Sequence, residues 1–339
     1  MEQIMTFVKT KFERTEHAWR ELYNNSQFIS PYMSYDFQKE YKKKLWASKR
    51  TLFSKYIVYE AYENQKLIAL IPLLRIKDKI YIAGDFRATG YLDFIYSDNT
   101  TDEQLENLIS SFLIFMKKYE LHFNKINQTS RLYKILKGMT QFSNLFVNQG
   151  TCVNISFGDI YDEYFSKLSK STRQNIRTAH NRLNREGKII DIETHIGYRV
   201  TKMENKRLMK LYQKRSHERN GKSNVIVNLF QTLLNPLTHS LNTNENNFIS
   251  ILKIDSEIAA YMQGFISNHD NAAVIPRLAI NSAFNVYCPG GLLITDTIKW
   301  LIENSSVRNL DLSRGNESYK YVYGGTEHYN FDFIMNKTT

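Results

Sequence analysis

Apolar and polar positions alternate along this chain in strand and helix rhythms, and the same succession of rhythms occurs twice. In the first half, residues 55–61 and 67–76 read as strands around the turn Glu63-Asn64-Gln65-Lys66, and 79–83 and 92–96 as two more. Leu105, Leu108, Ile109, Phe112 and Met116 fall on one stripe and predict a helix over 102–119, after which 122–127 returns as a strand. In the second half, 248–254 and 258–266 flank Asp255-Ser256-Glu257, and 272–280 follows a turn at 268–271. An amphipathic segment, 292–302, and a strand at 307–312 complete the repeat. Between the copies lie two polar helices. One, over 162–186, turns Phe165, Leu168, Ile176, Ala179 and Leu183 inward; the other, over 202–219, does so with Met203, Leu208, Leu211 and Tyr212. The pattern predicts an α/β chain with mixed sheets, divided into residues 1–155 and 156–339.

Composition narrows the class. The 339 residues can hold two cores, and 42% hydrophobic with 23% charged residues is ordinary for a folded protein. No apolar run approaches the ~20 residues of a membrane helix, so stable membrane insertion is not expected. The start, Met1-Glu2-Gln3-Ile4, lacks the pattern of a secretory signal. Cys152 and Cys288 show no metal or redox spacing, which fits a reduced, cytoplasmic setting and no metal. The net charge of +11 is concentrated: residues 166–220 hold fifteen Lys or Arg against five Asp or Glu. The basic character therefore belongs to one segment and calls for an anionic ligand there.

Chemistry concentrates near the C-terminus. Cys288-Pro289-Gly290-Gly291 opens the apolar segment, and glycines at a helix start let backbone N–H groups approach an anion that the dipole favours. Gly290 and Gly291 are thus candidates for a pyrophosphate cradle. After the last strand, Asp311-Leu312-Ser313-Arg314-Gly315-Asn316-Glu317-Ser318-Tyr319-Lys320 offers a phenol, cations and carboxylates on one loop. Arg173 and Arg177 stand one helical turn apart and can reach one anion. Arg277, inside an apolar strand, either pairs with a buried carboxylate or lines a cleft.

The Pro-Gly turn, helix and strand ending in Asp311-Leu312-x-x-Gly315-x-x-x-Tyr319-Lys320 resemble the C-terminal half of the CelD/BcsL-type acyltransferases, a branch of the GNAT superfamily. The resemblance is specific over residues 250–325 and extends loosely to the helix start Arg173-Gln-Asn175-Ile-Arg177, also similar to the FemABX peptidyltransferases. It implies two GNAT-like domains in tandem, with the active cleft in the second. The expected activity is N-acyl transfer from an acyl-CoA, acetyl-CoA first, to an amino sugar or a nucleotide- or lipid-linked glycan precursor in cell-envelope polysaccharide biosynthesis. Gly290, Gly291 and Arg314 would then bind the donor, and Arg173, Arg177 and Arg277 an anionic acceptor. Tyr319 would protonate the thiolate, and Lys320 would hold a phosphate or an acceptor carboxylate. Asp93, in Gly90-Tyr91-Leu92-Asp93-Phe94, matches an aspartate that FemABX enzymes carry beside the acceptor and is the expected base. The alternatives are a FemABX-like aminoacyltransferase drawing on aminoacyl-tRNA, and a degenerate GNAT pair that only binds RNA or a partner protein. The family's usual phosphate loop, Arg/Gln-x-x-Gly-x-Gly/Ala, is absent here.

Overall fold

The computed structural model describes residues 5–27, 29–86, 90–142, 144–220, 235–267 and 271–337. Most of the turn expected at 268–271, and residues 87–89 ahead of the Gly90…Asp93 stretch, lie outside the described residues. The chain forms two compact units. Unit 1 is Met1–Thr151 with His328–Thr339, and unit 2 is Cys152–Glu327. Residues 328–337, assigned from sequence to the second domain, therefore pack with the first.

In unit 1 the strands are β1 (Met5–Thr10), β2 (Lys55–Glu63), β3 (Lys66–Ile76), β4 (Lys79–Ile82), β5 (Ile95–Tyr96), β6 (Glu120–Asn127) and the part of β13 (Gly325–Met335) from His328 onward. They order as β1-β2-β3-β4-β6-β13 with β5 beside β3, and only β4 and β6 run parallel. The helices are α1 (Glu16–Asn24), α2 (Tyr35–Lys43), α3 (Asp102–Phe115) and α4 (Arg131–Gly138). α3 starts where predicted because Thr101 and Gln104 exchange side-chain and backbone bonds at its N-terminus. It buries Leu105, Leu108, Ile109 and Phe112 in the core of this unit. That core takes in Phe333 of β13, stacked on Phe123 of β6 with centroids 5.8 Å apart.

Unit 2 continues β7 (Phe146–Ser156) from Cys152 and adds β8 (Ile190–Ile196), β9 (Asn247–Ile254), β10 (Glu257–Ser267), β11 (Ala272–Ile280) and β12 (Asn309–Arg314). Its order is β7-β12-β11-β10-β9-β8, again with one parallel pair, β11 and β12. The described helices are α5 (Tyr161–Lys167), α6 (Lys170–Arg185), α7 (Lys202–Asn220), α8 (Pro236–Thr243), α9 (Pro289–Asn304) and α10 (Ser318–Val322).

The repeat seen in the sequence is real in three dimensions. Each unit has a hairpin, a third antiparallel strand, a helix, and a strand that returns parallel to the third. Both hairpins turn on two residues with positive φ, Asn64 (49°) and Gln65 (68°) in one, Asp255 (49°) and Ser256 (67°) in the other. Two such residues in a row give the turn whose twist matches the flanking strands. Two details differ from the sequence pattern. The helix expected over 162–186 breaks at Leu168, whose backbone is extended, because the Ser169 hydroxyl accepts from Thr172 N and caps a new helix. In α7, Met203 points to solvent, and Met209 is buried with Leu208 and Leu211.

Candidate active site

The expected donor residues all belong to unit 2, Gly290 and Gly291 at the start of α9 and Arg314 at the end of β12, and in this unit β11 and β12 part. The two strands pair only at Ala272↔Asn309, Ala273↔Leu310 and Val274↔Asp311. Beyond that point β11 stays with β10 through Ile280, and β12 shifts register against β7 between Asp311 and Arg314. Pro276, which lacks an N–H, is admitted where β11 has left its parallel partner. Clefts at the carboxyl ends of parallel strands are where ligands enter α/β folds.

β12 is held in its bent course by its own side chains. Asp311 Oδ1 accepts from Ser313 N at 2.7 Å, and Ser313 and Gly315 take φ of 56° and 111°. Lys320, 2% exposed, aims its ammonium into this turn. Nζ lies 2.9 to 3.2 Å from the carbonyl oxygens of Leu312, Ser313, Arg314 and Gly315, and 3.2 Å from Glu317 Oε2. The expectation that Lys320 grips a phosphate or an acceptor carboxylate is therefore corrected: its charge is spent on the loop, as four carbonyls and a carboxylate already exceed its three protons. Arg314, on the same loop, is exposed.

α9 begins at Cys288, which takes φ 49°, ψ 50° and offers no side-chain cap. Gly291 N and Leu292 N both bond to the Cys288 carbonyl (3.0 and 3.1 Å). Both glycines sit in tight places: a Cβ on Gly290 would stand 2.6 Å from Ile280 Cδ1. A Cβ on Gly291 would stand 2.5 Å from the Tyr323 hydroxyl, 2.8 Å from Ile176 and 2.9 Å from the Cys288 sulfur, so Gly291 is a packing glycine. Gly290, half-buried, keeps its amide out of the helix ladder, since Pro289 before it has no N–H and Gly291 already bonds inward. It is the amide of this pair that fits an anion.

Tyr319 packs half-buried against the apolar core of unit 2. Four residues on, Tyr323 places its hydroxyl at the helix start, 4.0 Å from Cys288 Sγ. Burial, and then the neighbouring thiol, raise the Tyr323 pKa, so the phenol keeps its proton as a donor at neutral pH. Sequence reading missed it, although Tyr319 and Tyr323 stand at i and i+4.

The remaining candidates are placed elsewhere. Arg173 donates through Nη1 to the carbonyls of Ser166 and Leu168 (2.9 Å for the latter), closing the end of α5, while Arg177 lies over the Phe165 ring at 5.9 Å. The structure thus does not turn the two cations onto one anion. Arg277 is 3% exposed and bonded to neutral partners, Gln263 and Thr238. Asp93 belongs to unit 1. It is 3% exposed, with Oδ1 accepting from Phe94 N (2.7 Å) and Oδ2 from the Tyr96 hydroxyl (3.1 Å). Burial pushes its carboxyl up to about 7, against the opposing pull of Phe94 N–H, the Tyr96 hydroxyl and the Arg131 charge. Both of its oxygens are thus engaged inside its own unit.

With this geometry in view, residues 170–321 match the model of the acetyltransferase (GNAT) domain. Sequence comparison with curated proteins gives no match. Among solved structures, FemX aligns with 98% of this chain and 98% of its own at 10% identity and a TM-score of 0.61. A tandem GNAT protein from the clavulanic acid biosynthesis pathway aligns over 99% of both chains at 8% identity and a TM-score of 0.52. The C-terminal domain of a putative lysylphosphatidylglycerol synthetase from Agrobacterium fabrum covers 89% of this chain and 92% of its own, at 10% identity and a TM-score of 0.52. At such identities the structural likeness establishes the fold, GNAT-like units in tandem. The match gives residues 170–321 a GNAT acetyltransferase domain, and with it the chain is an enzyme that transfers acyl groups. No helix among the described residues is long and apolar enough to cross a membrane.

Two predictions follow from these placements. Lys320→Met should cost about 3 kcal/mol or more in a denaturant titration, because it strands buried carbonyls and a carboxylate. A variant as stable as wild type would show that the ammonium does not hold the loop. For Asp93, the carboxyl is protonated in both folded and unfolded chains below its ordinary value of 3.8. Between there and about 7 only the folded form keeps the proton, so its contribution to stability declines as pH rises through that window and stays low above it. Asp93→Asn, neutral throughout, should gain on wild type by a few kcal/mol between about pH 4 and about pH 8. Parallel stability curves would refute the burial assignment.

Proposed function

We propose that the protein transfers an acyl group from an acyl-CoA, acetyl-CoA in the simplest case, to the amine of an amino sugar or of a nucleotide- or lipid-linked glycan precursor. On this reading it stands with the CelD/BcsL branch of the GNAT enzymes. The observation that carries it is the parting of β11 and β12 beside the Gly290 amide, within the segment that matches the acetyltransferase domain.

An acyl-CoA supplies an acyl group already activated as a thioester. The residues of unit 2 fit such a donor. The start of the 16-residue helix α9, with Gly290 N–H, suits the pyrophosphate, and exposed Arg314 stands on the loop that ends β12. The edge of β11 beyond Val274 has no parallel partner and offers backbone groups to an amide-bearing arm. During transfer an N–C bond forms as a C–S bond breaks, so the amine gives up a proton and the sulfur needs a hydrogen-bond donor. Tyr323 puts a neutral phenol at the helix start, beside the proposed pyrophosphate amide and a pantetheine arm away from the sulfur, so Tyr319 is the proposed donor to the thiolate. Because GNAT-type transfer needs no covalent nucleophile when the amine attacks directly, Cys288 is assigned no step.

A second reading, transfer from aminoacyl-tRNA to a cell-wall precursor, draws on one observation. Lys206, Arg207, Lys210 and Lys214 are exposed along α7 and form no ion pair among the described residues, so they make a basic ridge.

Coenzyme A should raise the melting temperature of the wild-type protein. Gly290→Asp, whose Cβ needs the flexible end of Ile280 to move, should remove that shift in a protein that still unfolds cooperatively; an unchanged shift would place the phosphates elsewhere. Tyr319→Phe should lower kcat about tenfold or more with CoA binding kept, and Tyr323→Phe should instead weaken CoA binding. Binding of tRNA across a salt series separates the two readings. Tight binding that falls steeply with salt would favour the aminoacyl-tRNA enzyme, and feeble binding would eliminate it.

A further inference from the structure

Unit 2 buries a positive charge that no described group neutralises. Arg277 of β11 is 3% exposed; Nη1 donates to Gln263 Oε1 at 3.3 Å and Nη2 to Thr238 Oγ1 at 3.0 Å. The Tyr212 ring lies 5.1 Å from its Cζ. All three partners are neutral. A guanidinium has five N–H groups, so three find no acceptor among the described residues, and no carboxylate there lies within ion-pair distance. Burying a charge in this way is costly unless an anion joins it.

A second donor beside it is also unanswered. The β10–β11 register sets Gln263 opposite Arg277, and Tyr261, two residues earlier, shares that face. Tyr261 is 0% exposed, and its hydroxyl has no hydrogen-bond partner among the described residues. The charge of Arg277 draws its pKa down against the burial that raises it, which places the two groups in mutual range.

A groove lies beside the apolar cluster that holds Tyr261, though neither Arg277 nor Tyr261 is on its described lining. It encloses about 1030 Å³ between α7 and strands β8 to β10, and Leu208, Leu211 and Ile251, which line it, pack with Tyr261 in one apolar cluster. Its helix wall carries Arg207, Lys210 and Lys214 on successive turns. Its strand wall carries Asp191, Glu257 and Glu193, the last paired with Lys253. Glu204 also lines the helix wall and Lys253 the strand wall, so both walls carry both signs of charge over an apolar floor.

From these positions we infer that the acceptor carries a carboxylate besides its amine, and that Arg277 and the Tyr261 hydroxyl hold that carboxylate. The planar fork of the guanidinium matches two carboxylate oxygens, and the phenol donates to one of them. This assignment rests on the acyl-transfer reading for the identity of the ligand as acceptor, while the anion site itself does not.

The test is thermal shift and calorimetry with acetate, succinate, inorganic phosphate and glucosamine, at matched ionic strength. Acetate and succinate should stabilise the wild type, with glucosamine inert and phosphate weaker. Arg277→Met should lose the carboxylate response without lowering the melting temperature of the free protein, since it removes an unpaired buried charge. Tyr261→Phe should weaken carboxylate binding about tenfold, as expected for one hydrogen bond to a charged group. Coenzyme A binding, measured on the same samples, should be unchanged in both variants. Indifference of the wild type to both carboxylates, a stronger response to phosphate, or a carboxylate response that survives Arg277→Met would each overturn the inference. So would an Arg277→Met protein that fails to fold alongside Tyr261→Phe with full carboxylate affinity, because Arg277 would then be a structural cation. A wild type that ignores coenzyme A but behaves as stated toward carboxylates would remove the donor reading and leave the anion site standing.

Discussion

The loop that ends β12 is wrapped around one ammonium ion, and the cleft beside it depends on that arrangement. Four successive carbonyls, from Leu312 to Gly315, cannot all face one point in a regular strand. They do so here because Ser313 and Gly315 take positive φ, and because Lys320 supplies the charge they converge on. The strand is thereby bent out of register at the point where β11 and β12 separate. A cation used this way fixes backbone geometry that a ligand would otherwise have to organise on binding.

Unit 1 shows a related solution. β4 and β6 pair in parallel over Lys79↔Glu120, Ile80↔Leu121 and Tyr81↔His122, and β4 then ends. On β6, Lys125 takes φ 58°, and its N–H donates to Asp332 at 2.9 Å, much as Ser313 N–H donates to Asp311 in unit 2. Both units thus use a left-handed residue other than glycine, steadied by an aspartate, on the strand that parts from its parallel neighbour. The conformation is disfavoured by itself and persists because the surrounding bonds hold it.

How much of this the sequence announces depends on the range of the interaction. Asn64-Gln65 and Asp255-Ser256 reveal both hairpins, because a turn is decided by residues in contact along the chain. The α3 stripe and its Thr101 start are equally local. The break at Leu168 escapes periodicity, since the apolar spacing continues through it and only the Ser169 cap marks it. β1 and β13 carry weak patterns of their own and exist through pairing with distant strands. At the site, residue type did not disclose direction: Lys320 and Arg173 are cations turned inward to carbonyls, and Gly291 is packed under the phenol of Tyr323. Arg277 was visible as a charge in an apolar strand, but the neutrality of its partners is a fact of packing.

The pairing of β13 with β6 has a consequence for synthesis. Unit 2 is one continuous stretch, Cys152–Glu327, and every strand of its sheet is made before β13 is complete. Unit 1 is split, and its core needs Phe333, which lies on the far side of unit 2 in the sequence. The nascent first half must therefore wait with the edge of β6 unpaired and Phe123 lacking its stacking partner while the second half is made. An unpaired edge of this kind is a template for wrong partners. The unit made first is completed last, and its hazard during folding is set by the time the ribosome takes to traverse the other.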